Sequence, residues 1–426
     1  MMRGAVPALA AVAALALALS APAPAQVNRP SPGNEQPRSG NNGGGGGFGG
    51  VGLSISLGGK KKKAPVAEPP LTGPDMAMRD RPIPDYVAGQ VLFFLSDAAA
   101  NAGQIARTAR VTLVSTAPLP EMGVTMAVAT LLPGDTVDAA VGRLGRTPKV
   151  AWAQPDFNFQ VLGNSREQGA GMSRIRIGPK QKVSGTIALI DSPVDLANPA
   201  LRGAAIVQEG FGGSLAPAAH GTAIAEILVG TGPFAGVAQG ANLVSLAAFA
   251  PAGEDWWQSQ TSKLALALNR AIALRPQVVN MSFGTVRDDP ALARALARFE
   301  AIGACVVAAA GNAGGGRVLY PGRDDRVVAV TAIDGAKRIY AYASRGPEID
   351  VAAWGVSMNA AVPGGRRAVS GTSFATAIVT GALLRDTACT SARNPAAMRS
   401  GVFSRALDLG PKGRDDQFGA GLFRLP

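Results

Sequence analysis

From about residue 186 to 333 the sequence alternates short, almost unbroken apolar runs with stretches of helical periodicity. The runs occupy 186–190, 243–249, 278–283, 304–310 and 327–333, and helical patterns at 223–229, 262–274 and 290–302 lie between several of them. A strand wetted on one side alternates apolar and polar residues, whereas a run that is apolar throughout is covered on both faces. The pattern therefore predicts an α/β domain: a largely parallel sheet with helices on both faces. In such sheets sites form at the carboxyl ends of the strands. Asp191, directly after the first run, and Asn312, just beyond 304–310, fall where chemistry is expected.

The chain carries one histidine, His220, in His220-Gly221-Thr222 at the start of a helical pattern. One imidazole means one obvious group for proton transfer near neutral pH. Ser373, in Ser370-Gly371-Thr372-Ser373-Phe374-Ala375, opens another apolar helical pattern. A serine there sits among unpaired backbone N–H groups at the positive end of the helix dipole, and both favour a developing oxyanion. A serine hydroxyl is a weak nucleophile without a base in reach. His220 can be that base, Asp191 can orient it, and the Asn312 side-chain amide can donate to the oxyanion. The order Asp-His-Ser is one of the known orders for such a triad. Each residue alone has a plainer reading: a turn cap, a structural histidine, a helix N-cap, a turn asparagine. Their joint placement at matching element ends favours a serine hydrolase. No Gly-x-Ser-x-Gly elbow surrounds Ser373, which argues against a lipase or esterase.

Composition divides the rest. Residues 1–25 read as a secretory signal: Arg3, an Ala/Leu run from Ala5 to Leu19, and Ala23-Pro24-Ala25 before Gln26. That run is shorter than the ~20 residues a bilayer span needs. Residues 26–84 read as a Gly/Pro/Lys-rich linker, whose Lys60–Lys63 run offers weak binding to anionic surfaces. Residues 85–161 show strand patterns over 87–95, 111–119 and 124–132 and helical ones over 98–110 and 135–146, with a last strand from 150; this βαββαβ order predicts a small α+β ferredoxin-like domain. A processing linker at 162–179 precedes the α/β domain at 180–426. The formal net charge is +12, but no nucleic-acid motif accompanies it, so a basic, non-specific surface is expected. No dense acidic loop calls for calcium, and no metal or other cofactor is expected. Cys305 and Cys389 are the two cysteines. In an exported chain they are either bridged or two buried thiols.

Several segments resemble the subtilisin-like serine proteases, the subtilases. Ala188-Leu189-Ile190-Asp191-Ser192 resembles the family's aspartate motif, and His220-Gly221-Thr222 its histidine motif. Val279-Asn280-Met281-Ser282-Phe283-Gly284 resembles its substrate-binding strand, and Ala309-Ala310-Gly311-Asn312 its oxyanion motif. Ser370-Gly371-Thr372-Ser373-Phe374-Ala375 is similar to its nucleophile motif. The likeness spans about 180–426. It implies a secreted endopeptidase, extracellular or periplasmic, acting on polypeptides through Asp191, His220 and Ser373 with Asn312 in the oxyanion hole. Backbone edges at Ser282, Phe283, Gly284 and near Gly311 would pair with an extended substrate. It also implies that 85–161 is an intramolecular chaperone and inhibitor, with self-cleavage in an irregular stretch from Val161 to Ser173. Pro193 stands where the family usually has glycine, two residues after the acid; Asp195 is the fallback acid. The alternative function is that of a catalytically impaired relative acting as a binding protein.

Overall fold

The computed structural model describes residues 84–97, 99–167, 182–232, 235–253, 256–386 and 394–425. The leader at 1–25, all but the last residue of the 26–84 linker with Lys60–Lys63, residues 168–179 and Cys389 lie outside the described residues. Everything described belongs to one compact unit, Pro69–Pro426.

The N-terminal part runs β1 (Tyr86–Leu95), α1 (Ala102–Thr108), β2 (Val111–Leu119), β3 (Val124–Leu131), α2 (Val137–Gly145) and β4 (Val150–Val161). The strands pair antiparallel in the order β2-β3-β1-β4. Both faces of β1 are used. Val91, Phe93 and Leu95 pack with Ile105, Ala106 and Leu144 under the two helices. Leu92 and Phe94 point the other way. The helices are shorter than periodicity predicts because capping side chains start them: Asn101 accepts from Gln104 N, and Thr136 from Ala139 N.

The chain continues through β5 (Asn164–Glu167), β6 (Thr186–Asp191), β7 (Ile206–Gly210), α3 (Ala219–Val229), β8 (Asn242–Ala247), β9 (Ala250–Gly253), β10 (Trp256–Gln260), α4 (Thr261–Ala273), β11 (Val278–Met281), β12 (Phe283–Gly284), α5 (Pro290–Ala301), β13 (Cys305–Ala309), β14 (Val327–Ile333) and β15 (Val351–Trp354). A hairpin, β16 (Met358–Val362) and β17 (Gly365–Ser370), leads into α6 (Thr372–Arg385); α7 (Pro395–Phe403), β18 (Ala406–Leu407) and β19 (Leu422–Phe423) close the chain. The main sheet has the order β18-β19-β15-β14-β13-β11-β6-β8-β7, parallel except at β18.

Helices cover both faces of this sheet, as the apolar runs require. On one side α3 and α6 bury Ile224, Leu228, Phe374 and Ile378 against Leu189, Val307 and Val330. On the other, α4 and α5 bury Leu264, Leu268, Leu296 and Phe299 against Ile190, Val279 and Val306. Leu92, Phe94, Leu119 and Met122 of the N-terminal sheet join that second core, so this sheet lies over α4 and α5 as a further layer. Cys305 is disulfide-bonded, and Cys389 is the only other cysteine in the sequence. This excludes the reading of two free thiols.

Candidate active site

Asp191 is the last residue of β6, and His220 lies in the first turn of α3; both are buried. His220 Nδ1 stands 2.7 Å from Asp191 Oδ1. With Nδ1–H donating to the carboxylate, Nε2 is left as the basic nitrogen. Ser192 binds the two elements together. Its N–H and its hydroxyl both donate to Asp191 Oδ1, at 2.7 and 3.0 Å, while its Oγ accepts from Gly221 N at 3.0 Å. Glycine is required at 221, because a Cβ there would lie 2.1 Å from Ser192 O. Pro193 does not disturb this arrangement: its carbonyl accepts from Ala218 N, just before α3. Asp195 faces elsewhere, accepting from Ala197 N and Asn198 Nδ2.

Ser373 is the second residue of α6 and is fully buried. Its N–H donates to Leu162 O at 3.1 Å, and its hydroxyl is hydrogen-bonded to the same oxygen. Ser373 Oγ also lies 3.1 Å from Ser282 O. His220 Nε2 has no hydrogen-bond partner, so the Ser–His hydrogen bond is not made while the Leu162 carbonyl occupies the serine. Asn312 Oδ1 accepts from Thr372 N and Thr372 Oγ1 at 3.1 and 3.0 Å. Its amide nitrogen is thereby turned the other way. A Cβ on Gly371 would fall 3.0 Å from Asn312 Nδ2 and 2.8 Å from Leu162 O. Gly371, at φ +148, lets the Leu162 carbonyl approach Ser373 N–H.

Leu162 directly follows β4 and arrives in an extended register. Its N–H donates to Ser282 O at 3.0 Å. Just before it, Phe283 pairs with Val161 and Gly284 with Gln160. The opposite edge of β4 pairs antiparallel with β10, Ser259 with Phe159 and Gln258 with Gln160. The segment is thus clamped as the middle strand of three. Leu162 packs with Ala309 and Leu319. Phe159 makes an edge-to-face pair with Phe283, centroids 5.8 Å apart, and Phe249 lies against Phe283 at 5.2 Å. Beyond Leu162 the chain runs on past Gly163 into β5, which pairs antiparallel with β17, Asn164 opposite Ser370. Of the stretch expected to be irregular, Val161 to Ser173, the described part up to 167 is β-paired on both sides of the Leu162–Gly163 bond, and 168–173 lie outside the described residues.

Sequence reasoning singled out Ser282, Phe283 and Gly284, and these form one edge. It did not find β10, where two tryptophans followed by Gln-Ser-Gln give no alternation to signal a strand. Gly311 does not pair with this segment: its N–H donates to Thr372 Oγ1 and its carbonyl accepts from Ser344 N. It instead comes close to Leu319, whose Cγ would lie 2.8 Å from a Cβ at 311. Among the described residues no group of three or more His, Cys, Asp or Glu side chains could hold a metal ion.

β4 also carries buried carboxylate chemistry. Asp156 is fully buried and accepts from Ser262 N and Ser262 Oγ at the start of α4, at 2.9 and 2.7 Å, and from Gln90 Nε2 at 2.5 Å. Burial pushes its pKa above the ordinary aspartate value in spite of these donors. Asp289, which caps α5 through Leu292 N and accepts from Thr261 Oγ1, is raised by burial too.

The family model described as "Subtilase family" matches residues 184–421, more than half of the chain. The chain belongs to the subtilase family. As a subtilase it is a serine-type endopeptidase, similar to subtilisin E of Bacillus subtilis at 30% identity over 259 residues, 58% of this chain and 67% of that protein. The minor extracellular protease Epr of the same organism is 35% identical over 215 residues, 48% of this chain and 32% of that one. The crystal structure of fervidolysin from Fervidobacterium pennivorans, described as a keratinolytic enzyme related to subtilisin, shares this subtilase fold with a TM-score of 0.67 at 21% identity, covering 80% of this chain and 60% of that one.

Proposed function

We propose that this subtilase is an exported endopeptidase, made as a precursor that cuts its own chain between Leu162 and Gly163. The observation that carries this reading is the Leu162 carbonyl, held by Ser373 N–H while the chain passes through as a paired strand on both sides. In the reaction, the Ser373 side chain turns its hydroxyl to His220 Nε2. Oγ then adds to the Leu162 carbonyl carbon as its proton passes to His220. Ser373 N–H and Asn312 Nδ2 hold the oxyanion, and Asp191 stabilises the imidazolium. Collapse breaks the C–N bond, His220 hands its proton to the Gly163 nitrogen, and the acyl-enzyme remains. Water then gives a proton to His220 and its oxygen to the acyl carbon. The Leu162 carboxyl group and the free Ser373 hydroxyl are the products.

In this reading residues 85–161 are a ferredoxin-like pro-domain. The β2-β3-β1-β4 order with two helices on one face supports it. So does the likeness to fervidolysin: at 80% of the chain, it extends beyond what residues 184–426 alone supply. After the cut, β4 stays in the substrate cleft as an inhibitor. The shared core with α4 and α5 makes the same domain a folding template for them. Export is supported by the leader pattern at 1–25, by the disulfide at Cys305, which belongs to oxidising compartments, and by a relative named as extracellular. No helix among the described residues is long and apolar enough to cross a membrane.

The unpartnered His220 Nε2 is the one observation that favours a second reading, an impaired relative that binds peptides without cutting them. The two separate cleanly. Purified wild-type chain is expected to give a new N-terminus at Gly163, and Ser373→Ala is expected to stay intact. The matured product should then react with a fluorophosphonate at Ser373. A wild-type chain that remains whole, or a Ser373→Ala chain that still matures, would overturn self-processing.

A further inference from the structure

Gly163, on the leaving-group side of the bond, has no room for a side chain. A Cβ there would lie 2.8 and 2.9 Å from Phe374 Cε2 and Cζ and 3.0 Å from His220 Cδ2. Carbon atoms in contact favour about 3.5–4.0 Å. None of the neighbours yields easily. Phe374 is fully buried, packed in the same core as Ala375 and Ile378. Its ring lies 5.5 Å from that of His220, so it cannot swing towards the imidazole. His220 is itself held by Asp191. Lifting the substrate instead would draw the Leu162 carbonyl from Ser373 N–H.

The position before Leu162 is different. Beside Val161 a cavity of about 240 Å³ remains; the Gly163 backbone borders it together with Pro217, Ala218, Trp257, Arg367 and His220, while the Cβ direction of Gly163 points at Phe374 and His220 Cδ2. Upstream, Leu162 fills the space against Ala309 and Leu319, and Phe159 stacks edge-on against Phe283.

We infer that Phe374, backed by His220, restricts this endopeptidase to bonds followed by glycine. This rests on the protease reading above. The rule is strict after the bond and loose at the Val161 position. Misplacing a scissile carbonyl by about 1 Å costs about 100-fold in rate, and an alanine at 163 forces a shift of that order.

The test uses the matured product of the full chain and a quenched fluorescent peptide carrying residues 156–167. Gly163→Ala in the peptide is expected to lower kcat/KM about 100-fold, while Val161→Phe changes it by only a few-fold. In the full chain, Gly163→Ala is expected to slow cleavage after Leu162 by about 100-fold. Phe374→Met in the enzyme, which keeps volume but adds flexibility, should bring the alanine peptide to within about tenfold of the glycine one. Alanine and glycine peptides cut at rates within threefold would overturn the glycine rule and leave the protease standing. A wild-type chain that stays whole, cuts no peptide and takes no fluorophosphonate would overturn both.

Discussion

At the scale of single residues, Ser192 is the side chain that links the acid to the base. Its hydroxyl donates to Asp191 Oδ1 and accepts from Gly221 N, so the β6 end and the first turn of α3 share one atom. A hydrogen bond to a charged group contributes about 1.5–3 kcal/mol. Ser192→Ala is therefore expected to lower kcat on a peptide by about tenfold or more and leave KM within twofold, since Ser192 touches no substrate. A variant with unchanged kcat and a raised KM would count against this role. Asp191, His220 and Ser373 could be picked out from the sequence because the chemistry demands scarce residue types, with one histidine in the whole chain. Ser192 could not, because a serine after an aspartate has no distinguishing spacing. Pro193 looked disruptive because proline lacks an N–H. Its carbonyl, not its nitrogen, makes the contact to Ala218 N, so nothing is lost.

At the scale of elements, α3 and the β16–β17 hairpin are tied through Glu226. This buried carboxylate accepts from Ala361 N at 2.6 Å and from Arg366 Nη1 at 2.6 Å. The hairpin leads directly to Gly371 and Ser373, while α3 carries His220. The tie thus connects the two helices that bear the proposed base, His220, and the proposed nucleophile, Ser373. Removing one partner of a buried ion pair costs about 3–5 kcal/mol, since it strands a charge. Arg366 is partly exposed, so the stranding is worse for the glutamate. Arg366→Ala in a Ser373→Ala background, which prevents self-digestion, is expected to lower urea stability by about 3 kcal/mol. Glu226→Ala should cost less, and Glu226→Leu combined with Arg366→Ala should recover part of the loss. Equal losses for the two single variants would remove the argument. The main sheet was legible at this scale because its strands are apolar on both faces. β5 was not, because it is polar throughout and its partner β17 lies far along the chain; β10 pairs with the adjacent β9 and with distant β4, but its Trp-Trp start followed by Gln-Ser-Gln shows no strand alternation. Polar strands formed by distant edges leave no periodicity to read.

At the scale of the whole molecule, the N-terminal domain reaches the catalytic domain through its fourth strand, and that strand carries a buried carboxylate between them, while Asp85 just before β1 pairs with Arg287. Asp156 sits at the start of α4, and burial raises its pKa in the docked state. The docked form therefore binds the proton more tightly than the undocked form does. The contribution of Asp156 to docking is fully present below the ordinary aspartate value of about 3.9 and is lost as pH climbs through the raised one, where the freed carboxylate ionises at no cost. Lys263 opposes the shift without reversing it. Asp289 is raised by burial as well; besides Thr261 and Leu292 it is hydrogen-bonded by Gln154 of β4, so it is a second buried carboxylate at this interface and remains in place when Asp156 is changed. The cut but undissociated precursor, passed over a sizing column from pH 4 to 8, is expected to lose its N-terminal domain progressively, with peptidase activity rising in step. Asp156→Asn keeps the hydrogen-bonding shape with no charge to bury, so its release should depend less steeply on pH, the remainder coming from Asp289. An identical profile for the variant would move the pH response to some other group.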